Sequence, residues 1–202
     1  MIVNELFGTI NTWEEVANLL GQPIKEVMAA LLPGERIESF LKKNERDILE
    51  AREFREVLRA IGNKGKIGTA FYPGGGADLI PDEILSDEFS VPVYKTSSPS
   101  EFNEQSLMFP EKFRKTYFPA VFGKTQLPIS KADLIILRNV PNLPELYEEV
   151  IKYSGAGTLV VVFENPFKRW CSEKGFNKET QDYISKAESG IEVYKQSRKT
   201  RP

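Results

Sequence analysis

The stretch Lys66-Ile67-Gly68-Thr69-Ala70-Phe71-Tyr72-Pro73-Gly74-Gly75-Gly76-Ala77-Asp78-Leu79 decides how the rest of the chain is read. Ile67, Ala70 and Phe71 suit a short buried β-strand, and Pro73 stops it, because proline has no amide hydrogen to give a sheet ladder. Three successive glycines follow, a residue type that tolerates positive φ and lets a backbone approach a ligand closely. In open α/β sheets, ligands sit in the crevice at the carboxyl ends of the strands, often against such a turn. Tyr72, Gly74, Gly75, Gly76 and Asp78 are therefore the first candidate binding residues.

Downstream, Ala132-Asp133-Leu134-Ile135-Ile136-Leu137-Arg138-Asn139-Val140 is a continuous apolar run typical of a strand buried on both faces of a parallel sheet. Asn139 ends it on the side where sites form and is the sixth candidate. Leu143 to Tyr153 reads as an amphipathic helix, Gly155-Ala156-Gly157 as the turn that ends it, and Thr158 to Glu164 as another buried strand. Together they make a βαβ unit with an expected right-handed crossover. Between the glycine loop and this unit, Leu79 to Leu85 can start a short helix. Ser90 to Lys95 reads as a second strand, with Pro92 at an edge or a strand start. Ser100 can cap a helix, and residues 108–130 form an irregular connection with room for one short strand. Further on, the expectations are a loop over Pro166 to Gly175, a helix over Lys178 to Ala187, an edge strand over Gly190 to Lys195 and a basic tail from Ser197.

Upstream, residues 1–62 read as helical, which divides the chain into an N-terminal helical region (1–62) and an α/β domain (63–202). Thr12 with Glu15 three residues on is a capping box. Gly21-Gln22-Pro23 breaks the first helix and starts the next, in an arrangement similar to a helix-turn-helix. Lys25 is the only basic residue from Gln22 to Leu32, too few for a helix that reads DNA. A packing or protein-partner hairpin is expected there, and nucleic acid is not. Glu35 to Ile61 reads as one long charged helix with a solvated polar face.

The composition of the 202 residues, 41% hydrophobic and 28% charged, is that of an ordinary globular protein. A net charge of −2 makes the whole molecule no magnet for nucleic acid or anionic membrane. No apolar run approaches the roughly 20 residues of a membrane span, and no basic-then-apolar leader opens the chain, so a cytoplasmic location is the expectation. Histidine is absent, which excludes imidazole bases and Ser-His or Cys-His nucleophiles. With a single cysteine, Cys171, no disulfide can form within the chain and no metal is expected.

Taken together, residues from about 64 to 196 resemble a class I S-adenosylmethionine (SAM)-dependent methyltransferase. Tyr72-Pro73-Gly74-Gly75-Gly76-Ala77-Asp78 stands where that family has its glycine loop after the first strand. Asp133 to Pro141 is similar to its fourth-strand motif, and Gly155 to Val162 to its fifth strand. The resemblance implies a mostly parallel Rossmann-like sheet flanked by helices, SAM as methyl donor, glycines against the amino-acid end of the donor, and fourth-strand residues lining the transfer site. It also calls for a carboxylate after the second strand to hold the ribose hydroxyls. The chain departs there, with Tyr94-Lys95-Thr96-Ser97 and Glu101 farther on, and again at Phe71-Tyr72-Pro73, where the family carries an acidic and a small residue.

Several residues have two readings. Asp78 either binds a ligand's polar group or caps the following helix. Tyr72 either stacks on an adenine or packs in the core. Arg138 pairs with an anionic ligand or with a structural carboxylate such as Glu164. Phe167 and Trp170 either form an aromatic lid or cover the sheet edge, and Cys171 reads as a small buried hydrophobe. Two functions lead, a SAM-dependent methyltransferase of unknown substrate or a non-catalytic scaffold of the same fold that binds a partner through its N-terminal helices; a third, a nucleic-acid module on residues 12–32, has the near-neutral charge against it. An open pocket over Gly74 to Gly76 beside Asn139 favours the first; a filled one favours the second.

Overall fold

The apolar runs at Leu134–Leu137 (β4) and Leu159–Val162 (β5) form the middle of a seven-stranded sheet, and all eight residues are buried. The structure is a computed structural model and describes residues 10–105, 107, 110–121, 124 and 126–197. The other strands are β1 (Ala70–Tyr72), β2 (Val93–Ser97), β3 (Tyr117–Pro119), β6 (Phe176–Lys178) and β7 (Glu192–Gln196). Their order across the sheet is β3-β2-β1-β4-β5-β7-β6. Neighbours from β3 through β5 run parallel, whereas β7 is antiparallel to both β5 and β6. The strand order reverses between β1 and β4. That switch point opens a crevice at the carboxyl ends of the strands, directly above the glycine loop.

The helices are α1 (Trp13–Leu20), α2 (Ile24–Ala29), α3 (Ile37–Lys43), α4 (Glu45–Asn63), α5 (Pro99–Gln105), α6 (Glu111–Arg114), α7 (Pro144–Tyr153) and α8 (Asn165–Glu173), with a π-helical segment at Asp82–Glu88. The capping box forms as the spacing requires. The Glu15 amide donates to Thr12 Oγ1 at 3.2 Å and the Thr12 amide to Glu15 Oε2 at 3.0 Å. Helix α4 joins two apolar clusters. Its Ile48 packs with Val16, Leu20, Val27 and Phe40 of the N-terminal helices. Its Phe54, Val57, Leu58 and Ile61 are fully or almost fully buried in the core of the sheet.

Several expectations change. The long helix breaks at Asn44, whose side-chain amide donates to the Phe40 carbonyl at 2.8 Å and closes α3 before α4 begins. The loop over Pro166 to Gly175 is mostly helix α8, because Pro166 falls in the first turn, where its missing amide hydrogen has no bond to lose. The helix over Lys178 to Ala187 is instead the end of β6 and a 3₁₀ turn at Thr180–Asp182. The last strand is interior, not an edge: β7 lies between β5 and β6. Ser98 replaces Ser100 as the cap of α5, accepting from the Glu101 amide at 3.4 Å. The second strand starts later than read, at Val93. Within 108–130, the described residues form α6 and the short strand β3. Most of the basic tail, 198–202, lies outside the described residues. No helix among the described residues is long and apolar enough to cross a membrane.

Trp170 and Phe167 cover the sheet with Tyr147 and Phe176, at ring-centroid separations of 5.0 to 5.7 Å. Cys171, beside them on α8, is fully buried, and burial followed by the nearby Glu192 pushes its thiol up to about 12. A thiol so placed is protonated and unreactive at neutral pH. The native protein should therefore resist iodoacetamide near pH 8, while the urea-unfolded chain takes one label. Rapid labelling of the native protein, read by mass spectrometry, would contradict this burial.

Candidate functional site

The six residues singled out from the sequence meet at one cleft of about 250 Å³ at the switch point. Its floor is the loop after β1. Gly74 and Gly76 take φ of +67° and +47°, in the left-handed region that side chains disfavour. Gly75 is required for a different reason: a Cβ there would lie 2.6 Å from the Tyr72 ring. The Gly74 amide donates to Thr96 Oγ1 at 3.1 Å, which ties the loop to β2.

Beneath the loop lies a buried polar network. The Tyr72 hydroxyl sits 3.0 Å from both Asp78 Oδ2 and the Arg138 carbonyl oxygen. Burial, then the Asp78 carboxylate, holds this phenol well above its ordinary range, so it keeps its proton and donates. Arg138 Nη1 donates to Asp78 Oδ2 at 2.7 Å, and Nε donates to Glu50 Oε1 at 2.9 Å. Burial alone would lower the guanidinium's pKa, but Asp78 foremost outweighs it and holds the group above its usual value. Among the described residues, the ion partners of Arg138 are thus Asp78 and Glu50, not the expected Glu164. Glu164, just after β5, instead accepts the Asn139 backbone amide. Asp78 also starts the next helical segment, accepting the Ile80 amide through Oδ1 at 3.0 Å. The Tyr72 ring is 1% exposed and packs in the core.

Asn139 ends the strand with φ +55° and presents an exposed side chain to the cleft. Lys95, where the resemblance calls for an acidic residue, is buried and paired with Asp82 at 2.8 Å, so β2 supplies no carboxylate there. Glu101 lines the cleft from the first turn of α5, with its carboxylate accepting from the Ser98 hydroxyl at 2.8 Å. The sequence shows this carboxylate only as one lying farther on from β2, and its place on the cleft is set by the fold. The signal that could have found it is the Ser98-x-x-Glu101 spacing of a capping box at the end of a strand.

The roof is equally hidden. Leu20, Gln22 and Glu26 of the α1–α2 hairpin face the glycine loop. The hairpin is fastened there by the Leu79 amide donating to the Gly21 carbonyl at 2.7 Å and by Arg55 donating to the Leu19 carbonyl at 2.6 Å. Gly21 has φ +67°, and a Cβ on it would lie 2.1 Å from Ile80. No periodicity in residues 12–32 reports a contact made with residues 79–80.

No family model matches the chain, and no curated protein matches it in sequence. Solved structures do match. A candidate SAM-dependent methyltransferase from Methanococcus maripaludis superposes with a TM-score of 0.53 at 15% identity, over 79% of this chain and 93% of that one. This chain has a class I methyltransferase-like fold. Human N-acetylserotonin methyltransferase, solved in complex with SAM, gives a TM-score of 0.51 at 15% identity, over 92% of this chain and 66% of its own. The N-methyltransferase NodS from Bradyrhizobium japonicum gives 0.50 at 10% identity, over 74% and 97%. At such identities the likeness is one of fold. The mostly parallel sheet flanked by helices is the architecture that the resemblance implied, and the antiparallel placing of β7 is an addition to it.

Proposed function

We propose that the protein is a SAM-dependent methyltransferase of unassigned substrate, with the donor in the cleft over Gly74 to Gly76. The observation that carries this reading is the open cleft at the switch point, bounded by the glycine loop and Asn139 and not filled by Tyr72 or the 97–102 segment. The residues present fit the donor. The glycine loop leaves room for its amino-acid end, the Glu101 carboxylate can accept from ribose hydroxyls, and Asn139 offers a side-chain amide with no partner among the described residues. The lining carries Glu26, Asp78 and Glu101 against Arg138 alone, and Arg138 is already matched by Asp78 and Glu50. An acidic lining suits a cationic sulfonium.

Bound there, SAM would supply an electrophilic methyl group. The protein's part is to align donor and acceptor, for which no imidazole is needed. The α1–α2 roof would keep water from one side of the cleft. Isothermal titration with SAM and S-adenosylhomocysteine (SAH) tests the reading. Micromolar binding is expected. No heat at millimolar ligand from protein shown to be folded would favour the non-catalytic scaffold.

A further inference from the structure

Asn139 is the one non-glycine cleft residue held in the left-handed region among those described, and something must hold it there. The β4–β5 ladder runs from Leu134↔Leu159 to Leu137↔Val162 and makes its last backbone bond where the Phe163 amide donates to the Leu137 carbonyl at 3.2 Å. Beyond that point the two strands part, and the Asn139 amide has no backbone acceptor. Glu164 takes the place of the next rung: its Oε1 accepts the Asn139 N–H. Its Oε2 is buried and has no partner among the described residues. Burial raises the carboxyl's pKa, which marks it as a group kept in an unfavourable place. A carboxylate half removed from water with one unpartnered oxygen is destabilising, and the bond its other oxygen makes to the Asn139 amide offsets that cost. That bond keeps Asn139 in a conformation that a non-glycine residue adopts only at some cost. The Asn139 side chain consequently faces the cleft and not the neighbouring strand.

We propose that Glu164, which does not itself line the cleft, is a positioning residue for ligand binding and acts through the backbone of Asn139. The inference rests on the reading of the cleft as a SAM and SAH site. It predicts that Glu164→Met, similar in shape but without an acceptor, weakens SAH binding about tenfold by titration calorimetry, while Glu164→Gln, which keeps an oxygen acceptor, stays within about threefold of the native value. Asn139→Ala also weakens binding, and adding Glu164→Met to it costs nothing more, because the two residues act as one unit. Additive losses, or unchanged affinity in Glu164→Met, would overturn the positioning role while leaving the donor site in place. Should Glu164→Met fail to fold, Glu164→Asp withdraws the acceptor by one methylene and is judged by the same criterion. A native protein that gives no SAH heat overturns the donor reading and this role with it. In that case the Asn139 amide resonance, which Glu164→Gln shifts if the hydrogen bond exists, still separates a wrong ligand from a wrong geometry.

Discussion

Arg138→Met is expected to lower stability by ~3–5 kcal/mol, the usual cost of removing one partner from a buried charge network. The guanidinium lies between Asp78 at 2.7 Å and Glu50 at 2.9 Å, with the rings of Phe54 and Phe163 at 5.2 and 5.6 Å from its central carbon. A methionine side chain in its place would keep much of the apolar contact and none of the charge. Asp78 and Glu50 would be left facing each other across a site where water enters poorly. Asp78 would retain only the Tyr72 hydroxyl and the Ile80 amide. Urea unfolding is the measurement: the midpoint should fall with the slope unchanged, since the same surface is exposed. For a chain of this size the thermal midpoint should drop by about 10 °C. Adding Asp78→Asn to Arg138→Met should recover part of the loss, because it removes one of the stranded charges. A loss below about 1 kcal/mol would mean that solvent reaches the network and that it does not hold the cleft floor.

Gly75→Val is expected to abolish measurable SAH binding, with a loss of at least about thirtyfold, equivalent to ~2 kcal/mol. A side chain at Gly75 starts 2.6 Å from the face of the Tyr72 ring. That ring cannot yield easily. It is fully buried in the core, and its hydroxyl is fixed between Asp78 and the Arg138 carbonyl. The loop must therefore lift into the cleft, filling the volume a ligand would take. Overpacking of this kind also costs ~1–3 kcal/mol in stability. Titration calorimetry and urea unfolding on the same preparation separate the two effects. A folded Gly75→Val protein that binds SAH as the native one does would place the ligand elsewhere. Gly74→Ala makes a useful contrast: at φ +67° it strains the backbone.

Much of the fold was legible before any coordinates. The runs around Leu134–Leu137 and Leu159–Val162 announce doubly buried parallel strands, since a strand covered on both faces has no polar alternation. The three glycines mark the crevice, because each glycine spends chain entropy that an ordinary turn does not demand. The glycine loop, Asn139 and the parallel βαβ unit follow from local chemistry of this sort, and the resemblance they carry implied a methyltransferase-type sheet. Helix α8 and strand β6 were not legible. Pro166 reads as a loop residue until one knows that it falls in a first helical turn. Phe176–Lys178 is too short for alternation to show.

Sequence alone therefore determined which residues form the centre of the sheet, where its crevice opens, and which chemistries histidine's absence excludes. Those features are encoded in contiguous residues, within the reach of backbone propensity and burial period. Only the tertiary structure decided what surrounds the crevice. Arg138 chose Asp78 and Glu50, 60 and 88 positions away, over Glu164. The α1–α2 hairpin became a roof through Gly21 and Ile80, and Glu164 was left to hold Asn139. Each of these is a pairing between charges or surfaces far apart in the chain. Side-chain type says that a partner is needed, and only the packing of the whole molecule says which one arrives.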